Sequence, residues 1–187
     1  MKLSTRGLVL TALFTALTCV GAFISIPIGP VPITLQTLFV ILSALILGPK
    51  LAALSQITYV LLGLTGLPVF AGFKGGMGHI FSPTFGFLIS FVVVSYLIGK
   101  LTEKDKSLKR IILSVFLGSI VIYVIGIPYF LFILNSYLGK SMDLYTSLSK
   151  ACIPFIPGDI IKAVIAIILS NQVLKRLPKE SYNNLKY

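Results

Sequence analysis

Apolar runs long enough to cross a bilayer, broken by short basic clusters, constrain this chain more than anything else in it. The first run extends from Gly7 to Ile26, behind Lys2 and Arg6 and ahead of Pro27, Pro30 and Pro32. About 20 consecutive apolar residues are what a helix needs to traverse ~30 Å of hydrocarbon, and each proline removes a backbone donor and biases its predecessor away from helix. The run is longer than a secretory signal requires and further runs follow it, so it reads as an uncleaved first helix. With 56% hydrophobic and 11% charged residues and a mean hydropathy of +1.00, the chain lacks the polar groups that would cover a soluble surface. Its 187 residues accommodate roughly six crossings, which leaves no room for a soluble catalytic domain.

The remaining runs predict helices over Ile33–Leu47, Leu51–Leu64, Thr84–Gly99, Ile111–Leu134 and Pro157–Leu174. The second and third are short for a bilayer, which flanking residues or local thinning would accommodate. Pro128 predicts a kink near the far end of the fifth, and Pro157 suits a first helical turn. Between the third and fourth helices, residues 65–83 are rich in glycine and proline and predict a loop of tight turns. Residues 100–110 form a charged, solvated connection, and 135–150 a polar one. The expected architecture is therefore an all-α integral membrane protein, a single domain over residues 1–187 with six transmembrane helices.

The net charge of +11 raises nucleic acid as a partner, but the basic residues lie in clusters between apolar runs, not on a solvated face, so they report topology. Lys2, Arg6, Lys50, Lys100, Lys104, Lys106, Lys109, Arg110, Lys175, Arg176, Lys179 and Lys186 fall on one side of the predicted bundle. Lys74, Lys140 and Lys150 fall on the other, and Lys162 lies within a helix. The positive-inside rule puts both termini in the cytoplasm, and with them the Gly-rich loop outside.

Of the five carboxylates, only Asp159 falls within a predicted span, three residues before Lys162. An intramembrane charge costs about 2.5–3.5 kcal/mol on insertion scales, less near a helix end, so each needs a compensating role. At this spacing the two share a helix face and can pair. They are either a clamp holding the helix in register or a recognition site in which a carboxylate offers acceptors and an ammonium offers donors. Thr34, Gln36 and Thr37 open the second helix at the same face, where Thr34 serves as a helix cap or as a ligand contact. Gly75, Gly76 and Gly78 lack the Gly-Lys-Ser/Thr ending of a phosphate loop; they let backbone approach a ligand or another helix, or simply turn the chain. His79 makes no metal site alone, since Cys19 and Cys152 are poorly placed to join it, and loop packing is its expected role. Tyr59, Phe70, Phe73, Phe81 and Phe155 are candidates to line a pocket. Ala12 and Ala16 form a small-xxx-small pair, extended by Gly7 and Thr11, of the kind that lets helices approach closely.

Together, Pro32-Ile33-Thr34-Leu35-Gln36-Thr37, Gly66-Leu67-Pro68-Val69-Phe70, Gly75-Gly76-Met77-Gly78, Pro83-Thr84-Phe85-Gly86-Phe87 and Pro157-Gly158-Asp159-Ile160-Ile161-Lys162 resemble the BioY family, the biotin-binding S components of energy-coupling-factor transporters. The resemblance spans nearly the whole chain, in order. It implies capture of biotin at the extracellular face of the cell membrane and release inside, driven by an ECF module of one membrane T component and two ATP-binding subunits. Biotin would be the transported ligand, with no cofactor, no metal and no enzymatic activity. Asp159 and Lys162 fall on the family's ligand-contacting pair, joined as expected contacts by Thr34, Gln36, Tyr59, Phe73, Gly75, Gly76, Gly78 and His79. Ala12 and Ala16 match the motif by which S components dock on the T component. Whether Lys162 reads the ureido oxygen or the valerate carboxylate stays open. The alternatives are a site for another small vitamin and a structural or regulatory membrane subunit. An intramembrane enzyme would need a nucleophile with a base, or a metal cluster, and the sixth helix offers only Asp159 with Lys162.

Overall fold

The computed structural model describes residues 4–27 and 31–176. Lys2, Pro30, Lys179 and Lys186, which entered the sequence reading, lie outside the described residues. Helix α1 (Thr5–Phe23) starts where the Ser4 hydroxyl accepts from the Gly7 amide at 3.1 Å. Within it Thr11, Thr15 and Thr18 each donate to the carbonyl four residues earlier, so hydroxyls that hydrocarbon could not solvate are satisfied locally. The helix ends three residues earlier than the apolar run does. Its last residues enter a short antiparallel pair, β1 (Ser25–Ile26) with β2 (Ile33–Thr34), in the register Ser25↔Thr34 and Ile26↔Ile33. The fold is mostly helical, as expected, and this two-residue pairing is a local departure from it, formed where the prolines that follow α1 stop the helix.

Helix α2 (Gln36–Leu47) begins after β2, and α3 (Pro49–Leu64) follows directly on a Gly48 turn at φ 77°. Gly21 of α1 touches the start of α2, where an added Cβ would meet the Gln36 amide nitrogen at 3.0 Å. That approach, with the Leu35 amide donating to the Gly21 carbonyl at 3.0 Å, fixes the start of α2 against α1. At about 1.5 Å per residue α2 is only ~18 Å long, and it is the central helix, buried at nearly every position and packed against α1, α3, α4 and α7.

After α3 the Gly-rich loop folds back on itself through reciprocal backbone bonds between Phe70 and Lys74, 2.9 and 3.3 Å, and a 3-10 turn at Met77–Phe81. Helix α4 (Phe85–Leu101) then pairs with α5 (Leu108–Phe132). Helix α5 runs through Pro128, and its irregularity is a π-type turn at Ile133–Tyr137 beyond the proline. The charged connection before α5 is anchored: Lys106 donates to the Leu45 carbonyl at 2.6 Å, next to the end of α2. The polar stretch after α5 is also more ordered than composition suggests. Asn135 exchanges two 2.8 Å bonds with Met142, and the chain forms α6 (Leu144–Ala151), capped by Asp143. A 3-10 turn at Ile153–Phe155 leads into α7 (Ile156–Arg176), which packs on α2.

The helices Thr5–Phe23, Leu108–Tyr137 and Leu144–Arg176 (α6 and α7 taken together) are long and apolar enough to cross a bilayer; Gln36–Leu47 and Phe85–Leu101 are apolar but shorter. Large apolar side chains such as Leu13, Phe116, Val124, Ile160 and Val164 are exposed on the outer surface, as a lipid-facing belt requires. Ala12 and Ala16 lie on this exposed surface of α1, whereas Gly7 and Thr11 are buried. Gly7 faces Leu51 of α3, so the small-residue strip is confined to the two alanines.

Candidate functional site

One end of the bundle encloses a cavity of about 260 Å³. Its walls come from the hairpin and the start of α2 (Val31, Pro32, Thr34, Gln36, Thr37), the Gly-rich loop (Phe70, Lys74, His79), α4 (Phe87, Leu88, Phe91), α5 (Ile122, Tyr123), Phe155, and Asp159 and Lys162 of α7. These segments are far apart in sequence and come together only in the folded chain.

The charged pair is at the heart of it. Lys162 Nζ lies 2.6 Å from Asp159 Oδ1, with side-chain exposures of 8% and 19%, and donates to the Thr34 carbonyl at 3.1 Å. The other Asp159 oxygen accepts the Tyr123 hydroxyl of α5. The ion pair therefore ties α7 to α5 and, through the β2 carbonyl, to the start of α2. A buried pair is tolerable when its remaining donors and acceptors are satisfied in this way.

A second polar layer supports the first. Gln36 Nε2 donates to Tyr59 Oη at 2.7 Å, and that hydroxyl donates to the Val69 carbonyl at 3.1 Å. The Thr34 hydroxyl donates to Gln36 Oε1 at 3.0 Å and accepts the Gln36 amide N–H at 3.4 Å, so Thr34 both orients the Gln36 side chain and takes up an amide at the start of α2. Thr37 also faces the cavity, and its buried hydroxyl has no hydrogen-bond partner among the described residues. His79 stacks on Phe70 at 4.6 Å between ring centroids and reaches the wall. Burial first, then the neighbouring Lys74 charge, hold its imidazole below the usual value.

Of the residues singled out from sequence, Asp159, Lys162, Thr34, Gln36, Thr37, Phe70, His79 and Phe155 reach the wall. The others stand elsewhere. Tyr59 is fully buried behind Gln36 and Phe70. Phe73 points away, 66% exposed and stacked on Phe23 at 4.7 Å, because its positive φ of 56° turns the chain just before Lys74. Phe81 is exposed against Tyr137. Gly75 is packed so tightly on the Leu67 carbonyl that no side chain fits, Gly76 donates to the Gly63 carbonyl at 2.7 Å, and Gly78 faces open space. These glycines shape the loop against α3 and leave the wall to other residues. Sequence reasoning missed Tyr123, an aromatic inside an apolar helix with no local signal, and gave Lys74 only a topological role.

Fold and cavity define a polytopic helical membrane protein that encloses a solute-sized, polar-ended chamber at one end of its bundle. The BioY family model matches residues 1–179. The chain is 45% identical over 175 residues to the biotin transporter BioY of Thermotoga maritima, covering 94% of this chain and 99% of that one. It is 43% identical over 164 residues to the probable biotin transporter BioY of Pyrococcus horikoshii, covering 88% and 93%. Its fold superposes on the S-component for biotin from an ECF-type ABC transporter with a TM-score of 0.75, 31% identity and 95% of each chain covered. The chain belongs to the BioY family.

Proposed function

We propose that this protein is the biotin-capturing S component of an ECF-type importer. It spans the cell membrane with six helices, α1–α5 and α7, while α6 lies at the surface. Arg6, Lys50, Lys100, Lys104, Lys106, Lys109, Arg110, Lys175 and Arg176 gather at one end, and by the positive-inside rule that end and both termini are cytoplasmic. The cavity then opens outward. Biotin enters from outside and is delivered inward with a membrane T component and two ATP-binding subunits.

The observation that carries this reading is the Asp159–Lys162 pair held at the cavity by Tyr123 and Thr34. A ureido ring presents two N–H donors and one carbonyl, which match a carboxylate beside an ammonium. Phe87, Leu88, Phe91 and Phe155 offer an apolar lining for the fused sulfur ring, the usual combination of apolar walls with few convergent polar groups. Asp159, Lys162, Thr34, Gln36 and His79 are proposed as the ligand-facing set, with Tyr59, Gly75 and Gly76 supporting it from behind.

Calorimetric titration of the purified, ligand-stripped protein with biotin, desthiobiotin and thiamine tests the reading. One-to-one saturable binding of biotin without response to thiamine is expected. A folded sample that takes thiamine and ignores biotin would assign the chamber to another vitamin.

A further inference from the structure

The cavity carries more positive charge than its ion pair uses. Among the charged residues that line it are one carboxylate, Asp159, and two ammonium groups, Lys162 and Lys74. Lys162 is 6% exposed and already engaged with Asp159 and the Thr34 carbonyl. A ligand carboxylate brought to Lys162 would sit beside the Asp159 carboxylate, two like charges sharing one ammonium, an arrangement that disfavours ionisation of both. Lys74 stands differently. It is exposed at the cavity mouth, and among the described residues no carboxylate forms an ion pair with it.

Its backbone is also held firmly. Reciprocal hydrogen bonds tie Lys74 to Phe70, whose ring is 1% exposed, so a fixed backbone carries an exposed cation that lines the cavity. The buried Asp159–Lys162 pair suits a neutral head group with donors and an acceptor, which leaves the exposed Lys74 ammonium for an anionic tail.

We propose that Lys74 is a specificity-determining residue that reads the ligand's carboxylate, making the site selective for a monoanion whose charge is carried on a chain away from its hydrogen-bonding head. This rests on the biotin reading above and deepens it: Lys162 is left to the ureido ring and Lys74 takes the valerate.

The test crosses two proteins with two ligands by calorimetry in detergent: wild type and Lys74→Gln, each titrated with biotin and with uncharged biotin amide. Wild type should prefer biotin by about tenfold, an exposed charge-assisted contact. Lys74→Gln should lose about tenfold for biotin and stay within about twofold for the amide. Lys74→Arg should keep the preference, and raising the salt should weaken biotin binding in wild type but not in Lys74→Gln. Equal losses for both ligands would mean that Lys74 acts only through the loop fold, and no loss for either would mean that it reads nothing; both overturn the proposal. Persistence of the acid-over-amide preference in Lys74→Gln with its disappearance in Lys162→Gln would transfer the role to Lys162. If wild type binds neither ligand, the biotin reading itself fails and takes this assignment with it.

Discussion

The Tyr123 hydroxyl on α5 donates to Asp159 on α7, and through Asp159 it reaches Lys162 and the Thr34 carbonyl. One aspartate thus joins three segments around the cavity and leaves little freedom in where its oxygens point. Removing the tyrosine hydroxyl should loosen this orientation without removing the charge. Tyr123→Phe is expected to cost about 0.5–1.5 kcal/mol of ligand affinity, a single hydrogen bond's worth, with melting temperature nearly unchanged. A loss as large as that of an aspartate variant would show the hydroxyl contacting the ligand itself.

Asp159→Asn keeps the shape but removes the charge that pairs with Lys162. The folded, membrane-inserted variant should bind biotin at least about tenfold more weakly, roughly 1.4 kcal/mol. Wild-type affinity in calorimetry would reduce the pair to an interhelical clamp.

Gly63 on α3 leaves no room for a side chain, because an added Cβ would run into the Phe70 ring. Gly63→Ala should push Phe70, and with it the stacked His79, out of place. Overpacking of this kind costs about 1–3 kcal/mol, so both thermal stability and biotin affinity should fall. Gly78→Ala, where nothing lies near the added atom, is the control and should alter neither.

Ala12 and Ala16 stand exposed on α1, one turn apart. If this flat strip is where the T component docks, Ala12→Trp should abolish co-purification of the assembled complex while biotin binding by the isolated subunit is retained. Normal assembly of the tryptophan variant would move the docking surface elsewhere.

The imidazole of His79 titrates below its usual value of 6.5, chiefly through burial and secondarily through Lys74. Its charged form is thus disfavoured in the folded state, and the unfolded chain binds more protons on acidification. Stability should be highest above about pH 6.5 and should decline as the pH falls from there through the lowered folded value. In detergent melts at pH 7.5 and 5, His79→Gln should flatten that part of the pH dependence; an unchanged slope would place its origin in other groups.

Much of the architecture was legible because hydrophobic length is a local property. The apolar runs marked α1, α2, α3, α4, α5 and α7 to within a few residues, since a helix in hydrocarbon can satisfy its backbone only internally. The hairpin and α6 escaped notice. Two-residue strands leave too short a pattern, and α6 is an amphipathic surface helix of eight residues amid polar sequence. At the site, Asp159 and Lys162 announced themselves by the cost of charge inside an apolar run. Tyr123 did not, because a tyrosine in such a helix is unremarkable until Asp159 is seen facing it, and Phe73 and the loop glycines drew attention by composition while facing away.

By itself, then, the sequence determined the membrane setting, the succession of helices, and the presence of an ionic pair that must be compensated, because these follow from local transfer free energies and helix periodicity. Tertiary structure alone decided which side chains meet. The turn at Phe73 directs Lys74 to the cavity mouth and the phenyl ring away from it, the Gly21 contact seats Thr34 over Lys162, and the packing of α5 beside α7 delivers Tyr123 to Asp159. Such pairings depend on the relative placement of segments tens of residues apart, which no local pattern encodes.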